Sequence, residues 1–302
     1  MAFPMVSDAP PNLLILGLGY AGEAIAREAL ARGIAVRGTH RQPGQGAGTG
    51  SVPAIPFEAA GPAIVAATHL VVTAPPGEDG DPVLARHGTA LRAGLEARLR
   101  WVGYLSTTGV YGDRGGAWVD EATPPAPGQP RSLRRLQAEQ AWEAALAGHA
   151  QLDIFRTGGI YGPGRSALDE VLAGKARRVI RPGHAFGRIH RDDIAQAVMA
   201  AADAGGPGAA VSRVLHLVDD EPAEPALVIE EAARLLGLPP PPALSFDEAW
   251  AGMSPMARSF WSEHRLVANA RTKAALGLEW RYPSYREGLR QIAAKQGLHP
   301  EG

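Results

Sequence analysis

With 302 residues, of which 45% are hydrophobic and 20% charged, the chain is long enough to bury an extensive core without disulfide or metal staples. A formal net charge of -1 supplies no general pull toward nucleic acid or a membrane surface, so the expected partner is a small molecule or another protein. The absence of cysteine excludes disulfides, cysteine nucleophiles and thiolate metal sites.

The opening segment Met1–Pro11 has neither a basic nor an apolar targeting region, and the apolar run Leu13–Leu16 is too short to cross a bilayer. The expectation is a cytoplasmic protein with a frayed start. That apolar run reads as a strand. A glycine turn follows, then Ala24, Ile25, Ala29 and Leu30 at helical spacing up to Gly33. Ile34–His40 is a second strand, Gly44–Gly50 a glycine-rich loop, and Ala54–Phe57 a short third strand. His69–Pro76 is a continuous apolar run ending in prolines, the pattern of a parallel strand buried on both faces. A helix over Pro82–Arg98, a strand over Trp101–Thr107, a Gly/Pro-rich loop to Pro130, a helix over Ser132–Gly148 and a strand over Leu152–Gly159 continue the alternation.

Such alternation predicts a Rossmann-type, doubly wound parallel α/β sheet across residues 12–165. Beyond it the pattern weakens into helices at Ala167–Ala173, Asp193–Ala204, Ala226–Leu236, Asn269–Leu276 and Ser284–Gln296, with strands near Val179 and at Arg213–Asp220. Residues 166–302 are therefore expected to form a smaller, C-terminal substrate-binding lobe over the carboxyl edge of the sheet, with the strand near 213–218 returning to the main sheet. Gly237–Ser245, with its four prolines, reads as a stiff connector.

Gly17, Gly19 and Gly22 form GxGxxG between the first strand and the first helix. In that context the first glycine permits the tight turn, the second lets backbone approach a pyrophosphate, and the third allows close helix packing. The backbone NH groups of Tyr20, Ala21 and Gly22 would face the anion at the positive helix end. An NAD site carries an acidic residue about 20 positions further on, yet no Asp or Glu occurs between Glu28 and Glu58. The second strand ends instead in Thr39, His40 and Arg41, a set suited to a 2'-phosphate, so NADP(H) is expected rather than NAD(H). The alternative is that these basic residues merely solvate a loop.

Three further segments, Ser106–Gly112 (STTGVYG), Phe155–Gly164 (FRTGGIYGPG) and Gly187–Val198 (GRIHRDDIAQAV), give the chain a resemblance to the short-chain dehydrogenase/reductase superfamily. More narrowly it resembles the extended or atypical branch that includes NAD-dependent epimerases and dehydratases. The resemblance implies an oxidoreductase or epimerase-like activity on a small polar substrate, either a sugar nucleotide or another anion. It assigns Thr107 to the reacting oxygen and Thr73, Ala74 and Pro75 to the cofactor-ribose loop. Phe186, Arg188 and His190 fall on the substrate side. Homodimers are common among the relatives, although no feature of this sequence establishes one.

The family's Tyr/Lys dyad is absent: aligned on Glu139, its positions hold Arg131 and Arg135, and no lysine precedes Lys175. A guanidinium stays protonated well above neutral pH and cannot replace the tyrosine as acid. Arg131 could clamp a substrate carboxylate or phosphate and Arg135 could keep the ribose contact, or both could sit on an exposed helix face. Tyr111 and Tyr161 are the candidate catalytic phenols, with His184 and His190 as imidazole alternatives. Each has a structural reading as well. Metal catalysis gets no support, since the paired acids are adjacent in sequence and no HExxH spacing occurs. A nucleotide-binding sensor without turnover is the second functional reading.

Overall fold

Continuous apolar runs become buried strands. The computed structural model describes residues 11–40, 52–204 and 211–298; Arg41 and the loop Gly44–Gly50 lie outside the described residues. The chain opens with β1 (Asn12–Leu16), α1 (Tyr20–Ala31), β2 (Ala35–His40), β3 (Ala54–Pro56), α2 (Gly61–Ala66), β4 (His69–Val72), α3 (Pro82–Ala97) and β5 (Trp101–Thr107). It continues through β6 (Trp118–Val119), α4 (Pro130–Leu146), β7 (Gln151–Thr157), β8 (Gly159–Tyr161), α5 (Ala167–Leu172), β9 (Arg178–Ile180) and β10 (Arg188–His190). The remainder is α6 (Arg191–Ala204), β11 (Ser212–Leu217), α7 (Pro225–Leu235), β12 (Ala243–Ser245), α8 (Phe246–Gly252), α9 (Pro255–Trp261), β13 (Leu266–Val267), α10 (Ala270–Leu276) and α11 (Tyr285–Lys295).

Seven strands form one sheet in the order β11-β7-β5-β4-β1-β2-β3. β1 pairs in parallel with β2 and β4, and the flanking β2–β3 and β4–β5 pairs are parallel too. This is a Rossmann-type, doubly wound α/β sheet. Winding reverses at β1: the chain first steps outward to β2 and β3, then returns to lay β4 on the other flank. The loops leaving the carboxyl ends of β1 and β4 therefore diverge at a topological switch point, where such sheets bind ligands.

The chain divides into two compact units. The first takes Met1–Thr107, Leu133–Arg156 and Ile194–Leu215; the second takes Thr108–Ser132, Thr157–Asp193 and His216–Gly302. The single boundary after residue 165 expected from sequence does not describe this division, because α4, β7 and β11 each begin in one unit's segment and end in the other's. In the first unit, Leu14, Leu16, Leu70, Val72 and Tyr104 from the strands pack with Trp142 and Leu146 of α4. In the second, Leu168 of α5, Val228 and Ile229 of α7, and Tyr285, Leu289 and Ile292 of α11 form a separate core.

The expected strand over Leu152–Gly159 is broken at Gly158. There the backbone NH donates to Leu217 O at 2.9 Å, and an added Cβ would lie 2.7 Å from Gly187 O. The chain resumes as β8, paired in parallel with β10. The end of the proline connector, Ala243–Ser245, is itself a strand paired with β9.

Candidate active site

The glycine turn follows directly from β1. Gly17 adopts φ +111°, and a Cβ there would stand 2.6 Å from Thr73 Oγ1. Thr73 lies just past β4 and donates its hydroxyl to Gly17 O at 2.5 Å. From β2, Thr39 accepts the Gly17 NH on its hydroxyl at 3.0 Å, and its carbonyl accepts the Leu18 NH at 2.9 Å. Thr39 is 1% exposed. That oxygen braces the turn, and Thr39 also lines the cavity beside it. Leu18 in turn lies against Gly38, where any Cβ would overlap it. Gly38 carried a sequence signal of its own, since a glycine inside a strand marks close approach of another group.

Gly19 is different. It precedes α1 in extended backbone with no side-chain cap on the helix, and a Cβ added there would meet nothing within 4 Å. A cavity of about 630 Å³ opens at this point, lined by Gly17, Leu18, Gly19, Thr39, His40, Phe57, Thr73, Ala74, Pro75, Pro76, Gly77 and Pro82. Tyr20, Ala21 and Gly22 begin α1, and at Gly22 a Cβ would overlap Gly17 O. The uncapped start of a twelve-residue helix, open space at the central glycine, and the ribose-loop candidates Thr73, Ala74 and Pro75 on the same wall fit a dinucleotide pyrophosphate.

At the carboxyl end of β5, Glu139 is 1% exposed and pairs with Arg156 at 2.7 Å. Ser106 donates to the same carboxylate. Arg135 hydrogen-bonds the Leu105 carbonyl, and its guanidinium carbon lies 5.7 Å from the Tyr104 ring centroid. Arg135 therefore reaches the end of β5. Thr107 closes that strand and is half-buried. The Glu139–Arg156 pair was missed by sequence reading. Its signal was a glutamate directly after Ala138 and three residues before Trp142, on the face of α4 that goes into the core.

The second unit ties up most of the expected proton donors. Tyr111 is fully buried, with its hydroxyl 2.6 Å from His216 Nε2. His216 Nδ1 lies 2.7 Å from Ala268 O, and a carbonyl can only accept, so Nδ1 carries a proton; in the neutral ring Nε2 accepts from Tyr111, whose hydroxyl also lies 3.2 Å from Asp120 O. Tyr111 is a structural tyrosine, which corrects its expected catalytic role. Tyr161 donates to Ser284 O at 3.3 Å and packs so closely on Gly288 that a Cβ there would overlap its hydroxyl. Burial, reinforced by Asp219 and Asp193, pushes the Tyr161 phenol well above its ordinary pKa, so it too departs from the expected acid.

His190 is fully buried between the rings of Tyr161 and Tyr282, and its Nδ1 accepts the Asp192 NH at 3.1 Å. Burial pulls its pKa down to about 4. It anchors the start of α6 in place of the expected substrate contact. His184, lowered to about 4 first by burial and then by Arg181, stacks on His264 and Trp261. The Phe186 ring stands edge-on to His184 and Trp261. Arg188 donates through Nη1 to the carbonyls of Phe186 and Ala223 at 2.9 and 2.8 Å. Arg131 is exposed, with its guanidinium carbon 4.6 Å from the centroid of Phe260 on α9. Helices α8 and α9 and this aromatic contact had no counterpart in the sequence reading.

No protein-family model matches the chain. A solved structure of a functionally unknown conserved protein from Silicibacter pomeroyi DSS is 42% identical, covering 95% of this chain and 99% of that one with a TM-score of 0.85. A structure from Methylobacillus flagellatus, assigned as an NAD-dependent epimerase/dehydratase, is 26% identical, covering 96% and 100% with a TM-score of 0.69. In sequence and fold the chain is thus similar to solved NAD-dependent epimerase/dehydratase-like proteins. A 3-diazoavenalumate denitrifying reductase from a Streptomyces species is 31% identical over 173 residues, 50% of this chain and 54% of the relative. The match thus spans about half the length of that curated relative. Among the described residues, no helix is long and apolar enough to cross a membrane.

Proposed function

We propose that the chain is an NADP(H)-dependent oxidoreductase or epimerase-like enzyme acting on a small polar, anionic substrate. The observation that carries this reading is the open space at Gly19 before an uncapped helix, on the wall of a cavity of about 630 Å³. NADP(H) is preferred because β2 ends without a carboxylate and presents His40 to the same cavity. When bound, the nicotinamide supplies or takes up a hydride. Thr107 orients the reacting oxygen, Arg135 places positive charge at the end of β5, and Arg131, held against Phe260, receives the substrate's anionic group.

The engaged hydroxyls of Tyr111 and Tyr161 bear on the choice of substrate. Reduction of a simple ketone builds an alkoxide that needs a proton in the transition state. Hydride transfer to an aryl carbon bearing a diazonium group forms a C–H bond as the C–N bond breaks and dinitrogen leaves, so it builds no oxyanion and needs no proton donor; a conjugated carbonyl, by contrast, passes through an enolate that must be protonated. The likeness to a reductase named for a diazo compound points the same way. The test is transfer of deuterium from 4R- and 4S-deuterated NADPH across sugar nucleotides, keto acids, conjugated aryl acids and diazo-substituted aryl acids. Deuterium in a product supports the reductase. Tight NADPH binding with no transfer and no conversion of any compound would contradict it and favour a nucleotide sensor.

A further inference from the structure

The second unit carries a half-open cleft of about 600 Å³ that shares no lining residue with the cavity at Gly19. Its volume lies within the roughly 300–1,000 Å³ of small-molecule sites. One part of the wall is apolar, from Pro225, Val228 and Ile229 of α7 and Leu289 of α11. Another part is cationic, from Arg165, Lys175, Arg177 and Arg188. Two carboxylates share this wall, Asp169 and Glu170, and Asp169 is already committed to the backbone NH and hydroxyl of Ser166 at 2.8 and 2.5 Å. Arg177 donates to the carbonyls of Gly174 and Ala176, and Arg188 donates to those of Phe186 and Ala223 and is countered by the nearby Asp219; the lining itself carries four formal positive charges and two negative ones, with Lys175 among its exposed cations. Tyr285 also lines the cleft, is 1% exposed, and keeps a hydroxyl with no hydrogen-bond partner among the described residues. A buried polar group in that condition costs free energy until something pairs with it.

We propose that this cleft binds a small amphiphilic oxyanion, a phosphate or carboxylate carried on an apolar or aromatic body, and does so without the nucleotide. The anionic head is drawn to the cationic wall and accepts the Tyr285 hydroxyl, while the body covers Val228, Ile229 and Leu289. This site is additional to the proposed oxidoreductase site and does not depend on it.

The test is calorimetric titration of the full chain with phenyl phosphate and with cinnamate, each with and without saturating NADPH. Three variants accompany the wild type. Lys175→Glu reverses an exposed charge. Ala173→Trp fills the cleft from an exposed wall position, and Tyr285→Phe removes the unpartnered hydroxyl alone. At least one anion should bind with a Kd below about 1 mM, undisturbed by NADPH. Affinity should fall about tenfold in Lys175→Glu and Tyr285→Phe, as loss of one charge-assisted contact requires, and vanish in Ala173→Trp. Preference for phenyl phosphate or for cinnamate assigns the head group. Failure of both anions to bind, displacement by NADPH, or unchanged binding in all three variants would overturn the proposal. Thermal unfolding of each variant shows that it is folded when titrated.

Discussion

Substitution of the three turn glycines separates folding from binding. At Gly19, φ is -94° and ψ -166°, an extended conformation that valine adopts readily, and a new Cβ meets nothing within 4 Å. Gly19→Val should change unfolding free energy by no more than about 0.5 kcal/mol. Its branched side chain would stand where a pyrophosphate must approach the start of α1. Loss of two charge-assisted hydrogen bonds, about 1.5–3 kcal/mol each, lowers NADPH affinity by at least 100-fold on the order of magnitude given by 1.4 kcal/mol per decade. Gly17→Ala behaves differently, because φ +111° disfavours any side chain and the new methyl meets Thr73 Oγ1 at 2.6 Å. It should cost about 2–4 kcal/mol of stability together with binding. Urea unfolding and NADPH calorimetry on both variants make the comparison. A Gly19→Val protein that binds NADPH as the wild type does would refute the reasoning.

Three further predictions rest on buried groups. Arg156 and Glu139, paired at 2.7 Å with side chains 5% and 2% exposed, attract by about 6 kcal/mol at an effective dielectric constant near 20. Much of that offsets desolvation, so Glu139→Gln should destabilise by about 3–5 kcal/mol in urea unfolding, and the double variant Glu139→Leu/Arg156→Met should recover most of it; a single-variant loss below about 1 kcal/mol would be inconsistent with this. His190, lowered to about 4 by burial against the raising influence of Asp192, stays neutral in the fold while the unfolded chain takes up a proton near pH 6.5. Its contribution is fully present above pH 6.5 and is lost as pH falls towards 4, at about 1.4 kcal/mol per pH unit. Asp193, raised by burial to about 6, acts oppositely between pH 6 and its ordinary value. The measurement is therefore the difference between wild type and His190→Asn, which should shrink on acidification; a difference independent of pH would contradict the assignment. Tyr111→Phe should leave NADPH affinity unchanged and lower stability by about 1–3 kcal/mol, since it strands the buried His216 Nε2; a loss of NADPH affinity with stability intact would show that its hydroxyl serves the ligand.

The features legible in the sequence were those encoded within a few residues of one another. Leu13–Leu16 and His69–Val72 announce buried parallel strands by continuous hydrophobicity, and Gly17, Gly19 and Gly22 announce the turn by backbone geometry alone. The switch point between β1 and β4 then follows from strand alternation. Contacts between distant segments were not legible. Nothing local to Tyr111 indicates that His216, 105 residues away, holds its hydroxyl. Likewise nothing local to Thr39 indicates that its hydroxyl accepts the NH of Gly17, 22 residues earlier. Glu139 served as an alignment anchor, while its partner Arg156 lay hidden within an apolar strand. The short strands β8, β10 and β12 escaped because three residues carry little periodicity and these lie among glycines, charges or prolines, whereas the equally short β3 and β9 were marked by their apolar centres. After residue 165 the chain re-enters the sheet unit through most of α6 as well as through the strand at 213–218.

The central claim is that the turn at Gly19 receives an NADP(H) pyrophosphate. Calorimetric titration of the wild-type chain with NADPH and NADH in the same buffer tests it most directly. The account predicts one NADPH per chain, bound about tenfold or more tighter than NADH because β2 ends without a carboxylate. Equal or tighter NADH binding would contradict the phosphate preference, and failure to bind either nucleotide would contradict the site itself.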